Sequence, residues 1–329
     1  MAFARQMFSH RYRDFDRLAP VFANAGITRR QSVRPMEWFF EERSWSERTA
    51  AYLEGAGDLF VQAATLALER AGLTAADVDA VVTVSSTGIA TPSIEARVMG
   101  RMGFRADVAR VPVFGLGCAG GVSGLSLAAR LAEARPGQVV LFVTIELCTL
   151  AFRLDELTAA NIVATALFGD GAAACVLRAA GLGRITVEGS GEHTWPDTLD
   201  IMGWNIDPQG FSVIFDRAIP PFAAANLGPA IDGILGRMGL RHEDVGRFVC
   251  HPGGAKVIAS LEEALRTGEG ALDHERAVLN AHGNMSAPTV LFVLERVLAA
   301  GSAGRLAMTA VGPGFTASCV SLVVQEAGA

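Results

Sequence analysis

The sequence has little charge, no basic run and no long apolar run, and each of these absences excludes a class of protein. Charged residues make up 19% of the 329 residues and apolar residues 50%, so the chain can bury a large core and is not a disordered linker. The formal charge of −6 without a basic run argues against nucleic-acid binding. The longest apolar stretch, residues 139–152, is interrupted by Glu146 and is too short for a membrane span.

The first residues, MAFARQMFSHRYRDFDRL, are charged throughout and lack the apolar segment of a secretory leader. Five cysteines are an odd number, and in a chain without a leader they indicate reduced thiols and not a disulfide framework. The sequence therefore predicts a cytoplasmic protein.

Short β-branched runs alternate with helical stretches along the chain, as in AVVTVSS at 80–86 and QVVLFVTIE at 138–146. This alternation is typical of an α/β protein whose buried strands are covered by helices. No low-complexity linker interrupts the alternation.

The chain also resembles itself. GLTAADVDAVVTVSS from Gly72 is echoed by GLRHEDVGRFVCHPG from Gly239, and GDGAAACVL from Gly169 is echoed by GPGFTASCV from Gly312. Two echoes in the same order predict a duplicated α/β unit. We expect residues 1–180 to form one half and residues 181–329 the other.

The segment GLGCAGG, residues 115–121, places Cys118 where a strand turns into a helix. Its glycines allow a tight turn and close packing, and the positive end of a helix dipole favours the thiolate, which attacks carbonyl carbon. The alternative is that Cys118 is a small buried apolar residue, the usual role of a free cysteine. For the other four cysteines, which lie in apolar runs, we expect packing roles: Cys148, Cys175, Cys250 and Cys319.

A nucleophilic cysteine needs a base and donors for a developing oxyanion. His251 ends the strand RFVC and opens HPGG, so its ring is expected to project from a strand end while Pro252 and the glycines turn the chain away. Asn284 follows Gly283 in AHGNMSAP and offers a side-chain N–H donor. If the two halves face one another, these residues and Cys118 meet in one cleft.

Taken in order, GLGCAGG, ALFGDGAAACVL, HPGG, AHGNMS and VGPGF resemble the type III polyketide synthases, the chalcone-synthase superfamily of the thiolase fold. The likeness runs from about Arg17 to Val324. It implies an α/β, thiolase-like fold with two pseudo-duplicated halves in a layered α-β-α-β-α arrangement. It also implies a homodimer.

The resemblance implies roles for three residues. Cys118 is the acyl-accepting nucleophile, His251 its ion-pair partner, and Asn284 the amide that shares an oxyanion site with His251. A starter acyl-CoA acylates Cys118, malonyl-CoA loses CO2, and the resulting carbanion attacks the thioester. No metal or cofactor is implied, because coenzyme A thioesters are the substrates.

The resemblance also implies further site positions. The substrate-binding set comprises Phe168, Val213, Cys148, Ala151, Ser286, Gly253 and Thr91, the last on a loop that reaches toward the partner's cavity. Cations expected to bind coenzyme A are Arg17, Arg29, Arg30 and Lys256, although Pro20 and Asn24 stand where the plant pattern has cations. Because Val213, Cys148 and Ala151 make the pocket more apolar than in plant enzymes, and each buried methylene contributes about 0.8 kcal/mol, we expect a long alkyl starter and an alkylpyrone or alkylresorcinol product.

Two alternatives are open at this point. A ketoacyl-ACP synthase III shares the fold and the Cys-His-Asn chemistry, but it normally has HQAN-like and GNTS-like sequences where this chain has HPGG and GNMS. A catalytically inactive thiolase-fold binding protein is the other, although loss of function would not be expected to spare Cys118, His251 and Asn284 together.

Overall fold

The computed structural model describes residues 2–9, 12, 15–156, 158–179 and 183–326. The α-helices are α1 (Ala2–Phe8), α2 (Phe15–Leu18), α3 (Pro20–Asn24), α4 (Trp45–Arg70), α5 (Ile94–Met102), α6 (Gly120–Ala134), α7 (Ala159–Leu167), α8 (Ile219–Arg237), α9 (Ala255–Ala264), α10 (Asp273–His282) and α11 (Thr289–Ala299). The strands are β1 (Ala80–Val84), β2 (Ala109–Val113), β3 (Val139–Leu147), β4 (Asp170–Arg178), β5 (Ile185–Thr194), β6 (Met202–Asp207), β7 (Gly210–Phe215), β8 (Arg247–Cys250), β9 (Gly304–Gly312) and β10 (Thr316–Val324).

The described strands form two sheets of four and one hairpin. The first sheet has the order β2-β1-β3-β4, in which β4 is antiparallel to its neighbour and the other pairs are parallel. The second has the order β5-β10-β9-β8, in which only β8 and β9 are parallel. Strands β6 and β7 pair separately as an antiparallel hairpin.

The predicted duplication is visible in the order of elements. In the first half, α4 is followed by a 3-10 turn at Ala75–Asp77 and then by β1. In the second half, α8 is followed by a 3-10 turn at His242–Asp244 and then by β8. The two glycine motifs, from Gly169 and from Gly312, lead into β4 and β10. The predicted boundary between residues 180 and 181 lies outside the described residues.

Helices α6 and α11 form the layer between the sheets. Val122 and Leu125 of α6 and Val290 and Val293 of α11 pack in one core cluster with side chains of β1, β3, β8, β9 and β10. Helix α6 is buried on nearly every side, which is expected of a helix that is apolar all round. Helices α4 and α5 cover the outer face of the first sheet, and α8, α9 and α10 cover that of the second. The predicted α-β-α-β-α layering is therefore confirmed.

Glycines allow the two halves to approach closely where they meet. A Cβ atom on Gly121 of α6 would lie 2.3 Å from the carbonyl oxygen of Ala287. A Cβ atom on Gly312, at the end of β9, would lie 2.6 Å from the carbonyl oxygen of Leu116. Only a residue without a side chain fits at these two positions, because both neighbours are backbone atoms.

Among the described residues, no helix is both long and apolar enough to cross a membrane. All five cysteines are described, and none is in a disulfide. Four of them are buried, Cys118, Cys148, Cys250 and Cys319, and Cys175 is partly buried.

We expect Gly121→Ala to lower the free energy of unfolding by about 1–3 kcal/mol, the usual cost of overpacking, because the new methyl group would collide with the Ala287 carbonyl. Denaturant unfolding followed by circular dichroism measures this. Gly100→Ala is the matched control, since a Cβ atom there meets nothing within 4 Å and alanine in an exposed helix gains about 0.5–1 kcal/mol over glycine. Equal destabilisation by both substitutions would contradict the close approach.

Candidate active site

Cys118 lies in a single 3-10 turn, Gly117–Ala119, between β2 and the first residue of α6. The strand-to-helix turn that the sequence predicted is thus present. Gly117 has a φ of +48°, and a Cβ atom on it would lie 2.7 Å from Cδ of Pro313 in the second half. The glycines around Cys118 therefore bring the nucleophile to the contact between the halves, where only 7% of the residue is exposed.

The thiol of Cys118 is neutral in this environment. Burial raises its pKa to about 12, and the negative charge of Glu146 adds to this, while hydrogen bonds with the side chains of Ser286 and Asn284 act in the opposite direction. Burial therefore acts against the thiolate expected from the sequence, because the loss of hydration opposes the favourable helix dipole. Cys118 requires a proton acceptor when a substrate arrives.

His251 follows directly after β8 and is 4% exposed. Its backbone N–H donates to the Thr309 carbonyl at 2.9 Å, and its own carbonyl accepts from the Gly253 N–H at 3.1 Å. Neither ring nitrogen has a hydrogen-bond partner in the described part of the chain. Burial lowers the pKa of the imidazole to about 3. Loss of hydration thus favours the uncharged form of both His251 and Cys118.

Asn284 stands two residues after the end of α10, beyond Gly283, whose φ is +71°. Its Oδ1 accepts from the Ser286 N–H at 2.8 Å, and its Nδ2 donates to the Gly253 carbonyl at 3.2 Å. The amide is thereby held in one orientation, with its donor side directed to Gly253 and Cys118. Hydrogen bonds thus link Cys118, Asn284, Ser286 and Gly253.

Phe168 is joined to Asn284 by the backbone. The Asn284 N–H donates to the Leu167 carbonyl at 2.9 Å, and the Gly169 N–H donates to the Asn284 carbonyl at 3.0 Å. The guanidinium of Arg30 donates to the Phe168 carbonyl at 2.7 Å. Arg30 was expected to bind coenzyme A. In the structure its guanidinium donates a hydrogen bond to a backbone carbonyl that needs a donor.

An apolar cluster surrounds Phe168. It includes Cys148 at the start of a 3-10 turn, Phe152 and, from β7, Val213 and Phe215. The rings of Phe168 and Phe215 are perpendicular, with centroids 6.0 Å apart. Val213 was expected here from the sequence and Phe215 was not, although residues two apart on a strand share a face.

Other members of this cluster come from the N-terminal helices and the segments around them: Met7, Phe8, Phe15, Ala19 and Phe39. Ala151 ends the 3-10 turn that begins at Cys148 and is partly buried. Three of the residues predicted to bind substrate, Cys148, Phe168 and Val213, therefore share an apolar cluster with side chains from the N-terminal helices.

Glu146, near the end of β3, was recognised in the sequence only as an interruption of an apolar run. It is fully buried, and its Oε2 accepts from the Ser86 N–H at 3.0 Å. Its Oε1 has no partner among the described residues. Burial raises the pKa of this carboxyl to about 8, although hydrogen bonds from Ser86 and Thr87 lower it in part. The sequence could have indicated a role for Glu146, because an acidic residue inside a buried strand is rare unless it has a partner or a function.

The remaining predicted residues lie at the surface. Thr91 is exposed at a cis Thr91–Pro92 peptide bond, and Arg17 and Arg29 are exposed in the N-terminal region. Lys256, in the first turn of α9, lines a cavity of about 550 Å³ between α8 and α9. Within the described ranges, no group of three His, Cys, Asp or Glu side chains could hold a metal ion.

Two family models match nearly the whole chain. The model of the chalcone and stilbene synthase N-terminal domain matches residues 40–181, and that of the C-terminal domain matches residues 186–323. A 1,3,6,8-tetrahydroxynaphthalene synthase of Streptomyces peucetius subsp. caesius is 41% identical over 93% of this chain and 83% of that protein. A putative chalcone synthase of Bacillus subtilis (strain 168) is 37% identical over 95% of this chain and 90% of that protein.

Two solved structures also superpose closely on this chain. The crystal structure of 1,3,6,8-tetrahydroxynaphthalene synthase from Streptomyces coelicolor A3(2), a bacterial type III polyketide synthase, superposes with a TM-score of 0.92 at 28% identity. It covers 98% of this chain and 93% of that one. The structure of PKS-I from the brown alga Ectocarpus siliculosus gives a TM-score of 0.88 at 26% identity, over 98% of this chain and 92% of the other. The predicted thiolase-like fold is confirmed.

We expect Glu146→Gln to lower the pKa of Cys118, because the Glu146 carboxylate, which forms as pH rises through about 8, opposes the thiolate. The alkylation rate of Cys118 by iodoacetamide, followed by mass spectrometry from neutral to alkaline pH, measures this. The variant should react faster than the wild type on the alkaline side. Glu262→Gln, which changes a buried acid of α9, is the control, and identical profiles for all three proteins would contradict the electrostatic link.

Proposed function

Because this chain belongs to the chalcone and stilbene synthase family of type III polyketide synthases, we propose that it condenses an acyl-CoA starter with malonyl-CoA at Cys118, His251 and Asn284. Its reaction class is acyl transfer with decarboxylative condensation. The observation that carries the assignment is the buried His251, whose ring nitrogens have no partner among the described residues. His251 stands two residues before Gly253, to whose carbonyl the Asn284 amide donates, and a pair of donors at this place is suited to a substrate oxygen that gains charge.

Loading begins with a neutral pair. As the starter thioester enters, Cys118 transfers its proton to the neutral imidazole of His251, and the sulfur attacks the thioester carbonyl. The C–S bond to coenzyme A breaks, and the departing thiolate takes the proton from His251. Acyl-Cys118 remains. The neutral ring is free of a proton on one nitrogen beforehand and can therefore accept it.

Extension uses the same donors without a carboxylate base. The carboxylate of bound malonyl-CoA leaves as CO2, and its bonding electrons form an enolate whose oxygen accepts hydrogen bonds from the His251 ring N–H and from Asn284 Nδ2. The enolate carbon attacks the Cys118 thioester and releases the sulfur for the next cycle. The donors are fixed before reaction, so they stabilise the charge without reorganisation.

The starter is proposed to be a long-chain fatty acyl-CoA, with an alkylpyrone or alkylresorcinol as product. The cluster of Cys148, Phe168, Val213 and Phe215 is apolar, and the nearby Arg30 already binds the Phe168 carbonyl. An alkyl chain gains about 0.8 kcal/mol for each methylene buried there, whereas a charged starter would lose hydration.

A second candidate is a synthase that uses malonyl-CoA as both starter and extender and releases a polyhydroxylated aromatic product. The observation that favours it is the 41% identity with a 1,3,6,8-tetrahydroxynaphthalene synthase over 93% of this chain. The T-shaped contact of Phe168 with Phe215 also narrows the apolar region, which favours a short starter.

The coenzyme A moiety is proposed to dock at the cavity between α8 and α9. Lys256 lies in the first turn of α9, where the positive end of the helix dipole adds to its charge and favours a phosphate group. Arg29 and Arg17 remain the other proposed cations. Because Cys118 must stay reduced to act, we propose a cytoplasmic location.

A homodimer is also proposed. Strand β2 is an edge of the first sheet and is largely exposed, and edge strands are normally protected. Phe114, directly after β2, is 51% exposed, and Ile89 is 49% exposed. A second copy seated on this surface by a twofold axis would cover both side chains and bring Thr91 to the partner's site.

The first test is product analysis by mass spectrometry with malonyl-CoA alone and with straight-chain acyl-CoA starters of increasing length. We expect alkylpyrones or alkylresorcinols with long starters, and none from Cys118→Ala. Val213→Phe should shift the preferred starter to shorter chains, because the larger ring fills the cluster that contains Phe168. Ile206→Phe, at a half-exposed site of β6, is the matched control.

Each other outcome contradicts a defined part of the proposal. A polyhydroxylated aromatic from malonyl-CoA alone, with long starters ignored, would establish the second candidate. A single condensation that requires a carrier-protein thioester would contradict coenzyme A delivery. No product with any starter, from protein whose Cys118 is still alkylated, would favour a non-catalytic role.

We expect the wild type to sediment as a dimer and Phe114→Glu to shift it toward the monomer, because the charge would have to be buried at the interface. Sedimentation velocity over a range of concentrations measures this. Leu66→Glu, at a 48% exposed site on the outer helix α4, should leave the dimer unchanged. A monomeric wild type would contradict the homodimer and with it the proposed role of Thr91.

A further inference from the structure

Strand β8, which directly precedes His251, is an edge strand among the described strands and pairs with β9 on one side. The His251 N–H is directed toward β9 and donates to the Thr309 carbonyl at 2.9 Å. The N–H of the preceding residue, Cys250, is directed the other way, where none of the described strands lies. A buried N–H without an acceptor is costly. Here it donates to Oε1 of Glu275 at 2.9 Å.

Glu275 has no exposed surface. Its Oε2 has no hydrogen-bond partner among the described residues and lies 3.6 Å from Nη2 of Arg247, which also contacts Asp273 at 3.0 Å. Arg247 on β8, Asp273 and the adjacent Arg276 on α10, and the Cys250 thiol are the charged and titratable groups around it. Burial raises the pKa of Glu275 to about 7. A buried acid of this kind needs a reason beyond packing.

The position of Glu275 on its helix supplies that reason. Glu275 stands in the first turn of α10, and the same helix ends at His282, two residues before Asn284. The N-terminal end of α10 therefore binds the strand that directly precedes His251. The chain that leaves the C-terminal end of α10 leads to Asn284. Asn284 Nδ2 in turn donates to the Gly253 carbonyl, two residues after His251.

We propose that Glu275 is a positioning residue, which fixes His251 relative to Asn284 by binding the backbone N–H that precedes His251. This inference rests on the function proposed above, in which both side chains donate to one enolate oxygen. Donors in such a pair must be held to within a fraction of an ångström, and a misplacement of about 1 Å can cost about a hundredfold in rate. Glu275 touches no reacting atom in this scheme.

A purely structural role for Glu275 is the alternative, and the chain offers a matched control for it. Glu262 of α9 is also buried, and its Oε1 accepts from the Leu272 N–H at 3.0 Å. It pairs with Arg276. Glu262 thus satisfies a buried N–H at the N-cap of α10, but it does not bind the strand that precedes His251.

The experiment compares Glu275→Leu, Glu275→Gln and Glu262→Leu in the full-length protein. It measures kcat and KM for malonyl-CoA decarboxylation, alkylation of Cys118 and the melting temperature. We expect Glu275→Leu to lower kcat about tenfold or more, with KM and Cys118 alkylation little changed. Glu275→Gln should recover most of the rate, because its Oε1 still accepts from Cys250. Glu262→Leu should lose thermal stability and keep kcat.

The proposal is overturned if the two leucine variants lose kcat only in proportion to their loss of folded protein, or if glutamine fails to restore the rate. If Glu275→Leu does not fold, Glu275→Asp replaces it, since it keeps the charge but is one methylene too short to reach Cys250. A wild type without decarboxylation would contradict the proposed function, not the anchoring. The His251 imidazole NMR signals test the anchoring directly, and signals unchanged by loss of Glu275 would overturn it.

Discussion

The contact between the Gly121 backbone and the Ala287 carbonyl oxygen is the constraint on which the site depends. Gly121 is three residues after Cys118, and Ala287 is three residues after Asn284. The close approach of Gly121 to Ala287, which leaves no room for a Cβ atom, therefore sets the distance between Cys118 and Asn284. Because α6 and α11 lie between the sheets, packing across the whole middle layer holds this contact in place.

Close packing also affects the electrostatics of the reacting groups. Burial raises the pKa of Cys118 and lowers that of His251, so the loss of hydration opposes the charged form of each group. The ring nitrogens of His251 have no partner among the described residues, and together with the oriented amide of Asn284 they are suited to charge that arrives with, or develops on, the thioester.

The sequence predicted the parts of this arrangement that depend on local backbone geometry. Cys118 stood among glycines and His251 at a strand end, and both positions follow from the chain on either side of them. Glu146 and Glu275 could not be placed in the same way, because the N–H groups they bind, on Ser86 and Cys250, lie 60 and 25 residues away along the chain. The contacts of Arg30 could not be predicted for the same reason, since its carbonyl partners come from the segment around α7.

Two buried acids, Glu146 and Glu275, hold backbone N–H groups in place in this largely apolar interior. Glu146 binds the Ser86 N–H beyond the end of β1, and Glu275 binds the Cys250 N–H at the end of β8. The Ser86 N–H lies just beyond the paired residues of β1, and the Cys250 N–H lies on the outer side of β8, so neither donates to a backbone carbonyl of the ladder. Each carboxyl has one oxygen without a hydrogen-bond partner in the described chain. Single carboxyl groups with raised pKa values satisfy the backbone donors and leave His251 and Asn284 free to donate to the substrate.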